Sequence, residues 1–188
     1  AAQRALLAID AETPKSATMT SAFHFVGLAV RYATQGDNTA AREAMDHALD
    51  IATGSSDQDD LRPQLYRHVA ASLEVAGQPA SAARCLETGI EYGADGPAVW
   101  QALGRARLKS DDPYGALEAL SHSQRLKPSA EVVSDRILAE LAVDPSPGTA
   151  RQSLSRLESS RPEQVSVRWD FALGRAHEVS GNTDAARA

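Results

Sequence analysis

The stretch WQALGRARLKSDDPYGALEALSHSQRLKP, residues 100–128, decides the fold. Trp100 and Leu103 stand three residues apart, the spacing of an apolar stripe on one side of a helix. Asp112 followed by Pro113 is a helix start, with a carboxylate at the N-cap and a ring whose φ is already helical. Pro128 ends that second helix. Gly104 in the first helix and Ala116 in the second are small where two rods would cross, so the segment is expected to fold as a helical hairpin. A larger side chain at such a joint forces the rods apart, at a cost of roughly 1–3 kcal/mol.

Working outward, the tetrapeptide LGRA at 103–106 returns at 173–176, 70 residues later, and each copy follows a tryptophan, Trp100 or Trp169. Seventy is about twice 35, which directs attention to a period of 34 to 35. Units of 34 residues fall at 22–55, 63–96, 97–130 and 131–164, with an insertion at 56–62 and a partial unit at 167–188. Place 20 of each unit is then Ala41, Ala82, Ala116, Ala150 and Ala186. Place 7 is Leu28, Val69, Leu103, Ile137 and Leu173, all apolar. Place 8 is small in Ala29, Ala70, Gly104 and Gly174, and place 24 holds Met45, Leu86, Leu120 and Leu154. Unit 131–164 departs, with Ser134 where a large residue is expected and Leu138 where a small one is. In the last unit Trp169 comes one place early. Further helix starts are read at Asp37 or Thr39, at Gln78 with Pro79, and at Ser146 with Pro147, and a stop at Pro162. Residues 1–14, with Ala2, Leu6, Ile9 and Pro14, have the spacing of the second helix of a preceding hairpin. Both ends therefore read as cut from a longer array.

Trp100, Leu103, Gly104, Ala116, Leu120 and Pro128 stand at the spacings of a tetratricopeptide repeat, and the chain resembles that family over about 160 of its 188 residues. The resemblance implies an all-α fold, an α-solenoid wound as a right-handed superhelix of about five stacked helix-turn-helix repeats. In such an array no hairpin covers its own apolar face, so neighbours stabilise one another.

Composition agrees. Alanine fills 35 of 188 positions and aromatics only 5%, which suits closely packed helices better than a core of large rings. A net charge of −6 and a pI near 5.3 argue against nucleic acid, whose binders carry a basic face. The longest apolar run, AFHFVGLAV at 22–30, is far shorter than the roughly 20 residues a membrane span needs. Sixteen arginines against three lysines, with the alanine richness, fit a GC-rich bacterium.

Nothing reads as an active site, and the expectation is a protein that is not an enzyme and uses no cofactor. The five histidines, His24, His47, His68, His122 and His177, have neither the i, i+4 pairing of a metal helix nor an HExxH motif. No phosphate-binding glycine loop is present. The single cysteine, Cys85, lies beside the packing stripe and is read as a small core residue. SSDQDD at 55–60 lacks the glycine and glutamate of a calcium loop and is read as a solvated insertion.

The resemblance further implies that first helices line a concave groove, into which places 2, 5, 9, 12 and 13 point. These bring forward Gln64, Arg67 and Glu74, then Gln101, Arg105 and Lys109, then Asp135 with Arg136 beside it, then Arg168, Phe171 and Arg175. Five arginines would gather on or beside one side of an acidic chain, and arginine forks suit carboxylates. The alternative is ordinary solvated charge, balanced by Glu74, Asp135 and Glu178. The clamp with which some members of the family hold chaperone C-termini is not expected: its places carry Arg67, Ala71, Ala102, Val132 and Arg136, without the two asparagines. The expected function is a protein-interaction scaffold binding a protein or peptide segment, acidic in the sharper version. Two other readings stand beside it: a spacer that self-associates through uncapped ends, or the regulatory portion of a larger bacterial secretion, polysaccharide-export or enzyme protein. The sequence does not fix the compartment. A cytoplasmic setting is preferred, and a periplasmic one applies if the chain is a piece of an exported protein.

Overall fold

A computed structural model describes residues 18–54, 62–162 and 164–182. The architecture is all-α, of the α-solenoid type, and the described residues contain no strand. The helices are α1 (Thr18–Thr34), α2 (Asn38–Gly54), α3 (Arg62–Val75), α4 (Pro79–Glu91), α5 (Pro97–Lys109), α6 (Pro113–Leu126), α7 (Ala130–Val143), α8 (Pro147–Ser159) and α9 (Val167–Ser180). The chain divides into two compact units, Ala1–Ala94 and Asp95–Ala188. In the first, α1 pairs with α2 and α3 with α4, and α1 also packs on α3. In the second, α5 pairs with α6, α6 packs on α7, and α9 packs on both α7 and α8. The expected helix at 1–14, the loop SSDQDD and the end of the last unit, with Ala186, lie outside the described residues. Arg62, read above as the end of the insertion, is the first residue of α3.

Local chemistry sets most boundaries. The Asp112 carboxylate accepts from the Gly115 amide at 2.9 Å, and the Asp37 carboxylate from the Ala40 amide at 3.1 Å. The Ser146 hydroxyl does the same for Thr149 at 3.2 Å. Pro79, Pro97, Pro113 and Pro147 stand in the first turn of their helices. Gln78 is the exception: its side chain makes no cap bond, and Pro79 alone marks that start. Ser129 and Ser166 cap α7 and α9 through the Val132 and Trp169 amides.

The turns inside the hairpins share one device. Gly36, Gly77, Asp111 and Gly181 all have positive φ, from 61° to 87°, and all occupy place 15 of their units. After each, an amide reaches back five residues to close the helix: Asp37 to Tyr32, Gln78 to Leu73, Asp112 to Arg107 and Asn182 to His177, at 2.9–3.0 Å. This is the left-handed helix ending that glycine favours. Place 15 of unit 131–164 is Pro145, whose ring holds φ negative, so that hairpin must turn another way.

The packing joints are small where small residues stand. Ala82, Ala116 and Ala150 are completely buried. A Cβ on Gly104 would lie 2.5 Å from Leu120 Cγ and 3.2 Å from the Ala116 carbonyl oxygen. Place 27 is a second joint, occupied by Ala48, Gly89 and Ser123. A Cβ on Gly89 would strike the Tyr66 ring at 2.6 Å, and the Ser123 hydroxyl donates to the Pro97 carbonyl at 2.8 Å. Leu138, the large residue at place 8, is buried in the cluster with Ile137, Leu141, Leu157 and Trp169. It takes the space a close partner helix would use, and α7 approaches α8 far less closely than α5 approaches α6.

The two tryptophans differ. Trp169 is buried in that cluster. Trp100 is half-buried, stacked on His122 with ring centroids 4.1 Å apart, and its indole N–H donates to Asp95.

Candidate functional site

In the second unit three first helices, α5, α7 and α9, converge on one side chain. Asp135 is fully buried on α7. Its carboxylate accepts from Arg105 Nε at 2.6 Å and Gln101 Nε2 at 2.8 Å, both on α5, and from Arg168 Nε on α9. A carboxylate without partners in that position would carry a heavy desolvation penalty, and three donors, two of them cationic, remove it. Gln101 and Asp135 are the same place in consecutive units, and Arg105 lies one turn beyond Gln101. The repeat that stacks the helices therefore also aligns the donors. Arg105 and Arg168 keep about a third of their side-chain surface in solvent. One hidden negative charge thus sits beneath two partly exposed positive ones. On the exposed side, Glu131 reaches to 3.9 Å from Arg105 Nη2.

Beside the cluster is an open pocket of about 460 Å³ where α5, α7 and α9 begin, lined by Gln101, Lys127, Glu131, Val132, Gln164 and Ser166 among others. Phe171, one turn along α9 from the exposed Val167, is itself 59% exposed. Arg175 follows on the same helix, paired with Glu178.

The residues expected in one groove therefore divide. Gln101, Arg105 and Arg168 come together around Asp135. Asp135 is expected to face an open groove, but the structure shields it from solvent, and its three donors offset the cost of taking the charge out of water. Arg136 is one residue further round α7 and points elsewhere, to Gln124 Oε1 on α6 at 2.7 Å and Glu140 at 3.1 Å. Glu140 also takes Arg156 of α8, through both oxygens. Lys109 lies exposed at the end of α5. Gln64 and Arg67 are exposed on α3, in the other compact unit. No sequence signal distinguished Asp135 from a surface acid except its position, one repeat after Gln101.

No described group of three His, Cys, Asp or Glu residues is placed to hold a metal ion. His68 meets Phe23 edge-on at 5.3 Å, and His47 lies 5.4 Å from Phe25. Cys85 has its Sγ 4.0 Å from the Tyr66 carbonyl, and burial pushes the thiol up to about 12, away from nucleophilic thiolate. No described helix is long and apolar enough to cross a membrane.

With this geometry in view, comparison with solved structures finds helical-repeat proteins. The chain is similar to the MamA protein, with a TM-score of 0.56 and 19% identity over 92% of this chain and 87% of that one. A second MamA structure gives 0.55 and 20%, covering 84% and 86%. BtubC (BKLC) from P. vanneervenii gives 0.54 and 18%, covering 94% and 88%. At these identities the likeness concerns the fold. No protein-family model matches the sequence, and no curated protein does.

Proposed function

We propose that the chain is a non-catalytic protein-interaction scaffold of the tetratricopeptide type, and that α5, α7 and α9 present the face that binds an acidic segment of a partner. The observation that carries this is the convergence of Arg105 and Arg168 on buried Asp135. It fixes two guanidinium groups from different helices, partly exposed, next to Gln101 and Glu131, which line an open pocket. Arg175 extends the positive face along α9, and Phe171 offers apolar area beside it. Such an array suits carboxylates presented along an extended or helical segment, each held by charge-assisted hydrogen bonds. The helical-repeat fold, similar to that of MamA and BtubC, is compatible with this reading.

The test is a titration of the full chain with a fluorescent oligoglutamate peptide at low and high salt. Arg105→Ala and Arg175→Ala are each expected to weaken binding by about 1 kcal/mol, roughly fivefold, with the loss shrinking as salt rises. Melting curves confirm that the variants are folded. Equal binding by the wild type and the folded double variant would overturn the proposal.

A further inference from the structure

We infer that Glu131 is a built-in competitor for the partner's carboxylate, occupying the exchangeable edge of Arg105. The inference rests on the binding reading above and adds regulation of that same face. α7 offers Arg105 two acids one helical turn apart, and the two are unalike. Asp135 is completely buried and takes the Arg105 Nε at 2.6 Å. Glu131 leaves 62% of its side chain in solvent and stands 3.9 Å from Nη2. The first contact is costly to break, because it would leave a buried carboxylate short of one cationic donor. The second is loose and water-screened, of the kind that contributes little and is readily given up.

The guanidinium is a rigid fork. With Nε committed inward, its terminal nitrogens form the edge available to an incoming acid, and Glu131 already lies against that edge. Glu131 also lines the pocket beside the face, so a carboxylate held in that pocket stands against it. An acidic segment that takes Arg105 Nη2 therefore competes with Glu131 for it. The face is held partly neutralised until a partner brings enough charge to exchange, which disfavours single stray acids over segments that also engage Arg168 and Arg175.

The experiment compares binding of the oligoglutamate probe to the full-length wild type, Glu131→Gln, and the same change in an Arg105→Lys background. Lysine keeps a charge beside Asp135 and lacks the second edge. Glu158→Gln, an exposed change on α8, a helix that contributes no residue to this face, controls for net charge. The expected result is a roughly two- to fivefold tighter complex for Glu131→Gln, a gain that disappears in the Arg105→Lys background and at high salt, with Glu158→Gln unchanged. If the wild type binds in a salt-sensitive way but Glu131→Gln gains nothing, or gains equally with Lys at 105, the competitor role is overturned and the binding face stands. If neither the wild type nor any variant binds the probe, the binding reading fails and takes this inference with it.

Discussion

Gly104 is the residue on which the third hairpin closes. Helix propensity alone would favour alanine there by about 1 kcal/mol. The structure opposes it, because the added methyl would sit 2.5 Å from Leu120 Cγ, and Leu120 is fully buried with nowhere to retreat. Overpacking of this kind costs about 1–3 kcal/mol. Gly104→Ala is therefore expected to destabilise the protein by about 1 kcal/mol net in urea denaturation, and a variant as stable as the wild type would show that α5 and α6 do not touch there. Gly174 carries the same tetrapeptide, but its expected counterpart, Ala186, lies outside the described residues. The joint is therefore seen once, at Gly104.

At the scale of the element, the hairpin turn explains which unit departs from the pattern. Four turns use a left-handed residue at place 15, and in three of them it is glycine. Asp111, at φ 61°, is the fourth and bears the cost that a Cβ brings to that conformation. Asp111→Gly is expected to stabilise by about 0.5 kcal/mol, read as a higher denaturation midpoint, since relief of strain outweighs the extra freedom glycine gives the unfolded chain. A lower midpoint would mean that the aspartate side chain contributes more than its backbone loses. Unit 131–164 has Pro145 at this place and Leu138 at the joint, two departures that act together. The turn cannot close in the usual way, and the helices approach less closely than α5 and α6 do. The space between them is filled by Leu138, Leu141 and Leu157 and spanned by the Arg156–Glu140 pair.

At the scale of the molecule, the second compact unit is held by something more than stacked alanines. Asp135 ties α5, α7 and α9 through one carboxylate. Removing a partner from a buried ion pair costs about 3–5 kcal/mol where both members are buried. Here the arginines are a third exposed, so water recovers part of that cost. Asp135→Asn presents an amide to two cationic donors and is expected to lose about 1–3 kcal/mol. The loss should show as faster amide exchange in α5, α7 and α9, with protection in α1 to α4 unchanged, because the first unit has its own core. Uniform loss along the whole chain, or none, would contradict the local role of this residue.

What the sequence determined by itself was the recurrence. Alanines at place 20, small residues at place 8, and Asp112 and Ser146 before their prolines specify helices, starts and joints, because local capping and close approach are written in the residues that perform them. Tertiary structure alone decided the fate of the charges. Arg105, Arg136 and Arg168 look alike in sequence, and only the rotation of α7 against its neighbours sends Asp135 inward between two of them and Arg136 toward Gln124 of α6. A carboxylate's burial depends on donors 30 to 34 residues away, and no reading of adjacent residues can sum those contributions.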